Sequence, residues 1–236
     1  MWSRNEASMT ISGLIKSSFV DYPGHIACVL FVPGCNYDCY YCHNRSLLDG
    51  SAARIDPGLI DNFLRKRAGL LDGVVISGGE PTLQKGLIPF VKELKKLGYE
   101  IKLDTNGSSP EVIQELLALG LLDYYAVDYK APALRYRELC RSQRDAETVL
   151  RTIGLLHCAK VPFEVRTTVI PQLHESDLIT MAKELPLLPR YVLNPYRKPE
   201  RFLPCDAAKV DERPYTNGQI EAFAKAILPY QPNVTT

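Results

Sequence analysis

Residues 35–42 read CNYDCYYC, and the rest of the chain is interpreted around this stretch. It places three thiols, Cys35, Cys39 and Cys42, in a C-x3-C-x2-C spacing. Iron–sulfur clusters are held by cysteine thiolates, and a cubane cluster normally takes four of them. Three close thiolates therefore predict a cluster with one iron open to another ligand. Zinc is the alternative, but a structural zinc site has four protein ligands, and His43 directly follows Cys42, where reaching the same metal is awkward.

The composition is that of an ordinary globular protein, with 236 residues, 46% hydrophobic residues and a net charge of +1. A charge near zero argues against a general electrostatic grip on nucleic acid or on a membrane surface. The longest apolar run, 26–32, is far shorter than the ~20 residues of a spanning helix. No secretory signal is apparent at 1–10, so we expect a cytoplasmic protein.

Four further cysteines are scattered along the chain without a paired spacing. They are Cys28, Cys140, Cys158 and Cys205. Size and the missing signal do not fit a disulfide-stapled secreted domain. No second C-x2-C pair is present, so the sequence predicts a single cluster.

Strand-like and helix-like segments alternate about six times. We predict strands at 26–32, 73–77, 100–104, 124–130, 163–170 and 191–194. This alternation predicts an α/β fold with a parallel sheet and covering helices. Six units fall short of an eightfold barrel, and periodicity alone equally allows an open doubly wound sheet. No linker or repeat interrupts the chain, so we predict one domain over 1–236, with one helix in 197–236.

The unusual polar residues follow the predicted strands, where ligands bind in parallel α/β folds. They are Gly78, Gly79, Glu80, Asp104, Thr105, Asn106, Asp128, Lys130, Arg166 and Arg197. Each motif alone has an ordinary explanation. A glycine pair can be a tight turn, an aspartate can cap a turn or helix, and a cation can be exposed. Their shared position predicts a site.

The residues on both sides of the cysteine motif add to it and together resemble a known protein family. Tyr41 before the third cysteine resembles the radical S-adenosylmethionine (SAM) signature. The flanking motifs, at 12–14, 21–24, 31–34 and 43–44, resemble those of the glycyl-radical enzyme activating enzymes. Within them, the chain is most similar to the longer type of anaerobic ribonucleoside-triphosphate reductase activating protein. The resemblance spans about 12–196.

This resemblance implies a fold, a reaction and partners. The fold would be a partial (β/α)6 TIM-type barrel, the radical SAM fold. The enzyme would reductively cleave SAM at a [4Fe-4S] cluster to a 5′-deoxyadenosyl radical and install a glycyl radical on a partner enzyme. The resemblance implies that this partner is anaerobic ribonucleoside-triphosphate reductase. The resemblance also implies a flavodoxin or ferredoxin-type electron donor.

It further implies roles for individual residues. Cys35, Cys39 and Cys42 would hold the cluster, and Gly78, Gly79 and Glu80 would bind the methionyl amino group of SAM. Lys130 and Arg166 would pair with the methionyl carboxylate, while Tyr41 and the backbone near His43 would contact adenine. Asp104, Thr105 and Asp128, beside Asn106, would hold the cofactor and a monovalent cation. Arg197 stands where pyruvate formate-lyase activating enzymes have a histidine, so that position departs from the pattern.

Three alternatives remain open. The first is a radical enzyme acting on a small molecule, similar to the 7-carboxy-7-deazaguanine synthases. The second is an activase of another glycyl-radical enzyme, such as pyruvate formate-lyase. The third is an iron–sulfur electron carrier or a zinc module. The motif at 21–24 favours an activase over the first, and ferredoxin-type carriers supply a fourth cysteine, which argues against the third.

Overall fold

The computed structural model describes residues 9–142 and 145–236, and within them strands and helices alternate. The strands are β1 (Gly13–Ser18), β2 (Ala27–Val32), β3 (Gly73–Gly78), β4 (Glu100–Thr105), β5 (Tyr124–Asp128), β6 (Phe163–Val169), β7 (Tyr191–Pro195) and β8 (Val234–Thr235). The helices are α1 (Arg45–Leu48), α2 (Pro57–Arg67), α3 (Leu87–Lys96), α4 (Pro110–Leu119), α5 (Tyr136–Cys140), α6 (Ala146–Ala159), α7 (Glu175–Glu184), α8 (Ala207–Val210) and α9 (Asn217–Ile227).

The strands of this described part form a sheet in the order β1 to β8. β2 pairs with β3, and β3 with β4, in parallel, as do β6 with β7 and β7 with β8. The strand β1 runs antiparallel to β2. This topology confirms the predicted α/β fold of partial (β/α)6 type. The sequence missed β1 because it is largely exposed and has no long apolar run, and it missed β8 because it has only two residues.

Local sequence signals explain where the main helices begin. Asp56 accepts hydrogen bonds from Gly58 and Leu59 N–H at the start of α2, with Pro57 at the first helical position, as a side-chain cap should. Asp145 caps α6 in the same way through Thr148. None of the helices in 9–142 and 145–236 has the length and apolar character needed to cross a membrane.

The described residues divide into two compact units. The first comprises residues 9–35, 46–105 and 111–125. Its core is built on β2, β3 and β4, whose central apolar side chains are fully buried, as the continuous apolar runs of parallel strands require. Tyr99 is buried just before β4, and its hydroxyl donates to the Leu64 carbonyl (2.7 Å).

The second unit comprises residues 36–45, 106–110, 126–142 and 145–236. Its core packs β6 and β7 with apolar side chains of α6, α7 and α9. The segment 197–236, where the sequence predicts one helix, contains α9 and the short α8. Prediction of a single domain over 1–236 stays a prediction.

The Gln231 side chain holds the segment after α9 in the second unit through buried hydrogen bonds. It is 1% exposed. Its amide nitrogen donates to the carbonyls of Ala182 and Pro186 (3.0 Å each), and its oxygen accepts from Leu188 N–H (3.1 Å). Carbonyls at a helix end lack intrahelical partners, so this one side chain satisfies backbone groups at and beyond the end of α7.

We expect Gln231→Leu to destabilise the protein. Leucine fills a similar volume but leaves buried carbonyls and an N–H without partners, which should cost about 2–4 kcal/mol. Urea unfolding of the cluster-free chain measures the loss. Glu221→Ala, an exposed position on α9, is the matched control and should stay within about 0.5 kcal/mol of wild type. An equal effect of both substitutions would contradict the assignment.

Candidate active site

The cysteine loop begins in the first unit, directly after β2. Gly34 has a φ of +85°, a conformation that favours glycine. Its N–H donates to the Leu47 carbonyl (2.9 Å), and its own carbonyl accepts from Glu80 N–H (2.7 Å). The backbone that leads into Cys35 is therefore fixed from both sides.

Gly78 and Gly79 allow a close approach of two backbone segments. A Cβ on Gly79 would lie 1.9 Å from the Gly34 carbonyl oxygen, and one on Gly78 would lie 2.4 Å from the Val32 nitrogen. The turn after β3 can therefore pack against the entry to the cysteine loop only without side chains. The predicted contact of these glycines with a cofactor stays a prediction.

Glu80 ties that turn to the end of β4. Its side chain is completely buried. The oxygen Oε1 accepts from the Thr82 N–H (3.0 Å), the Thr82 hydroxyl (2.7 Å) and the Thr105 hydroxyl (2.7 Å). Glu80 and Thr105 were both predicted to bind the cofactor, and the structure gives each a role in holding the turn.

Asp104, the residue before the last of β4, lies beside a buried cation that the sequence reasoning missed. Its Oδ1 lies 2.9 Å from the Lys102 ammonium nitrogen, and its Oδ2 accepts from the Ser77 hydroxyl (3.1 Å). Lys102 is 2% exposed. Asp104 thus faces a cation of the chain through one oxygen and a hydroxyl through the other, within the first unit.

In the second unit, Cys39 is buried and Cys42 is partly buried. Cys42 N–H donates to the Cys39 carbonyl (3.1 Å), which forms a tight turn between the two thiols. The Cys140 carbonyl, at the end of α5, accepts from Asp38 N–H (3.1 Å) and lies 3.9 Å from the Cys39 sulfur. Thus α5 places a further cysteine beside the motif.

The environment favours the thiolate form of Cys39. A hydrogen bond with the Cys140 side chain lowers the pKa of the Cys39 thiol, and the positive charge of Lys130 acts in the same direction against the opposing effect of burial. Burial raises the pKa of Cys42. A lowered thiol pKa is the condition under which cysteine acts as a metal ligand.

An amide network anchors the cysteine loop in the second unit. Asn36 Nδ2 donates to the Ser108 hydroxyl (2.8 Å), and Asn36 Oδ1 accepts from Asn106 Nδ2 (2.9 Å). Asn106 Oδ1 in turn accepts from Ser108 N–H (2.9 Å). Asn106, predicted to bind the cofactor, thus uses its side chain to position the loop.

Asp128, Lys130 and Arg166 form one ion-pair group. Asp128 lies 3.0 Å from the Lys130 ammonium nitrogen through Oδ2 and 3.0 Å from Arg166 through Oδ1. Burial alone would raise the pKa of Asp128, but the two positive charges outweigh it and lower the pKa to about 2. The structure therefore brings these three predicted site residues together and makes Arg166 a partly buried cation.

Tyr41, His43 and Arg197 complete the predicted positions of the second unit. Tyr41 is buried and packs edge-to-face against Tyr40, with ring centroids 5.2 Å apart. Burial lowers the pKa of His43, although contact with the Arg197 backbone opposes this shift. Arg197 itself is exposed. The structure therefore brings the His43 ring to the Arg197 backbone.

The cysteines present fit an iron–sulfur cluster. None of the cysteines in the described chain forms a disulfide, and the motif supplies three thiols, the donor type that holds such clusters. Among residues 9–142 and 145–236, no three His, Cys, Asp or Glu side chains group as one metal ion would require. A cubane cluster differs from a single ion because each thiolate binds its own iron.

The residues do not fit a monovalent cation at Asp104. The implied cation would take a carboxylate oxygen of Asp104, yet Oδ1 already faces the Lys102 ammonium and Oδ2 the Ser77 hydroxyl. A second positive charge at the same oxygen would meet direct repulsion from the ammonium.

Sequence reasoning missed three contributors, Lys102, Cys140 and Asn36. Alternation along β4 places Lys102 on the same face as Asp104, and this signal could have identified it. Cys140 lies about a hundred positions from Cys39 along the chain, so no local spacing could reveal it. Asn36 lies inside the motif, but its partners Asn106 and Ser108 come from another segment.

The model of the radical SAM superfamily matches residues 29–185. A Methanocaldococcus jannaschii protein, provisionally named a glycyl-radical enzyme activating enzyme, is 35% identical over 206 residues, covering 84% of this chain and 81% of that protein. A 7-carboxy-7-deazaguanine synthase of Thermococcus kodakarensis is 27% identical over 161 residues, covering 58% of this chain and 63% of the synthase.

Among solved structures, a domain of a pyruvate-formate lyase-activating enzyme from Bacteroides vulgatus resembles the chain with a TM-score of 0.55. It is 20% identical, and the match covers 69% of this chain and 97% of that one. A likeness at this identity concerns the fold.

We expect Gly79→Ala to destabilise the entry to the cysteine loop. Its Cβ would overlap the Gly34 carbonyl oxygen, which should cost about 3 kcal/mol or more because backbone must move. Gly154→Ala is the matched control. Gly154 lies in α6 with no atom within 4 Å of its added Cβ, so alanine there should stabilise by about 0.5–1 kcal/mol. Urea unfolding measures both, and a neutral Gly79→Ala would contradict the close packing.

We expect the Asp128 group to make stability depend on acid pH. A carboxyl with a lowered pKa stabilises the fold fully above its unfolded value of about 4 and loses that contribution as the pH falls toward about 2. Asp128→Asn should therefore flatten the decline in free energy of unfolding between these values. Glu93→Gln, which breaks an exposed pair with Lys96, should leave it nearly unchanged. Identical pH profiles for wild type and Asp128→Asn would contradict the ion-pair assignment.

Proposed function

The chain belongs to the radical SAM superfamily, and from this premise we propose that it is a glycyl-radical enzyme activating enzyme. The proposed reaction is reductive cleavage of SAM at a [4Fe-4S] cluster, followed by hydrogen abstraction from a glycine of a partner enzyme. We further propose anaerobic ribonucleoside-triphosphate reductase as that partner and a flavodoxin or ferredoxin-type protein as electron donor. A reduced cluster suits the cytoplasm, where we place the protein.

The observation that carries this function is the conjunction of the C-x3-C-x2-C motif with a relative of the same named activity along most of the chain. The superfamily alone implies the cluster and SAM. The relative's name concerns glycyl-radical activation, and its match extends beyond the superfamily region. Together they support an activase more than a carrier of electrons.

We propose that the chain's residues divide the work in the following way. Cys35, Cys39 and Cys42 would hold the cluster, which supplies one-electron chemistry when bound. Lys130 and Arg166 would present positive charge to the methionyl carboxylate, already oriented by their ion pairs with Asp128.

The remaining predicted positions would orient the cofactor and exclude water. They are Tyr41, His43, Gly78, Gly79, Glu80, Asp104, Thr105, Asn106 and Arg197. We propose that Tyr41 packs against adenine, and that the buried Glu80 and Asn106 act by holding the turns around it.

A second function is favoured by one specific observation. The match to a 7-carboxy-7-deazaguanine synthase supports a radical enzyme that acts on a small, pterin-like molecule. It covers less of the chain at lower identity than the activase relative does, and we place it second. Activation of another glycyl-radical enzyme, such as pyruvate formate-lyase, uses the same chemistry with a different partner.

We expect the reconstituted, reduced protein to generate a glycyl radical. Anaerobic incubation with SAM and an anaerobic ribonucleotide reductase should give the radical signal in electron paramagnetic resonance, together with 5′-deoxyadenosine. Cys39→Ala should lower both to background because it removes a cluster ligand. Cys158→Ala, at an exposed cysteine outside the motif, is the matched control and should retain both within about twofold.

The outcomes separate the candidate functions. Absence of a cluster, or a cluster that does not cleave SAM, would overturn the assignment to this chemistry. Cleavage with turnover of a pterin-like substrate, and no radical on any glycyl-radical enzyme supplied, would favour the synthase-like function. A radical on pyruvate formate-lyase alone would change the partner and keep the reaction.

A further inference from the structure

Lys102 is a buried lysine in β4, the strand that ends at Thr105. It is the second residue before Asp104 in β4, so the two side chains leave the same face of the strand. Only 2% of its surface is exposed. Lysine is rarely buried without a paired charge, and the mechanism proposed above assigns this one no role.

The Lys102 ammonium has two oxygen partners in the first unit. It lies 2.9 Å from Asp104 Oδ1 and donates to the backbone carbonyl of Asp21 (2.7 Å). Asp21 begins the 21–24 motif that follows β1. Burying an ammonium is costly unless a charge and hydrogen bonds compensate it, and these contacts supply both.

The same contacts determine the orientation of Asp104. One oxygen faces the ammonium and the other accepts from Ser77 at 3.1 Å. Neighbouring β3, to which Ser77 belongs, thus fixes the carboxylate from one side while Lys102 fixes it from the other. The carboxylate is therefore matched by a cation that belongs to the chain itself.

We propose that the Lys102 ammonium takes the place of the monovalent cation that the resemblance to pyruvate formate-lyase activating enzymes implies at Asp104. Lys102 is then a positioning residue: it supplies a positive charge beside Asp104 and fixes that carboxylate. This inference rests on the proposed function, because Asp104 is assigned to the SAM site.

A swap of cations tests this assignment. SAM affinity of the anaerobically reconstituted protein is measured in potassium, sodium and tetramethylammonium chloride at equal ionic strength. Tetramethylammonium is too large to replace a coordinated ion. Wild type should bind SAM equally in the three salts, within about twofold, because its cation is covalently part of the chain.

Lys102→Met keeps much of the aliphatic stem and removes the charge. Its SAM affinity in tetramethylammonium should fall by about tenfold or more, and potassium or sodium should restore part of the loss. Lys102→Met with Asp104→Asn removes both charges and therefore the buried unpaired carboxylate. That double variant should fold like wild type and should not respond to the choice of salt.

A second measurement does not depend on the cluster or on SAM. The melting temperature of the cluster-free chain should be the same in all three salts for wild type, whereas Lys102→Met should melt higher in potassium than in tetramethylammonium. The wild-type melting temperatures test the proposal even if Lys102→Met folds poorly, because the proposal requires them to be the same in all three salts.

Two results would overturn the assignment. One is wild-type SAM affinity or melting temperature that rises with potassium or sodium relative to tetramethylammonium. The other is Lys102→Met that binds SAM as wild type does in tetramethylammonium. A cluster-loaded wild type that binds no SAM in any salt would instead overturn the proposed function, and the melting temperatures would still test the role of Lys102.

Discussion

The hydrogen bond from Glu80 N–H to the Gly34 carbonyl is the constraint on which the first unit's part of the site depends. It forms only because Gly79 has no side chain, since a Cβ would sit 1.9 Å from that carbonyl oxygen. The Glu80 carboxylate then extends the same connection to Thr105. The chain entering the cysteine motif, the turn after β3 and the end of β4 are therefore set by one connected group of contacts.

Two partly buried carboxylates, Asp104 in the first unit and Asp128 in the second, are each matched by a cation of the chain itself. Asp104 faces Lys102, and Asp128 faces Lys130 and Arg166. Such pairs add little net stability compared with apolar packing, but removing one partner leaves a costly charge. Their value here is orientation: each carboxylate has a fixed direction before any cofactor arrives.

Much of the fold and of the candidate site could be predicted from the sequence, and the remaining features could not be predicted for physical reasons. Continuous apolar runs identified β2 and β3, and Asp56 with Pro57 identified the start of α2, because those signals are local. The polar groups at strand ends were predicted because parallel strands bring their carboxyl ends to one edge. Cys140 could not be found, since only the folding of α5 brings it to Cys39. The strand β1 was missed because exposed edge strands need no apolar pattern.

The network of Asn36, Asn106 and Ser108 carries no formal charge. Ionic strength weakens the attraction between charges, but it has little effect on hydrogen bonds between amides and a hydroxyl. None of these three side chains gains or loses a proton within the pH range in which proteins stay folded. The second unit therefore anchors its part of the cysteine loop through hydrogen bonds that depend little on salt concentration or pH. The loop should keep its conformation when the surrounding charges are screened.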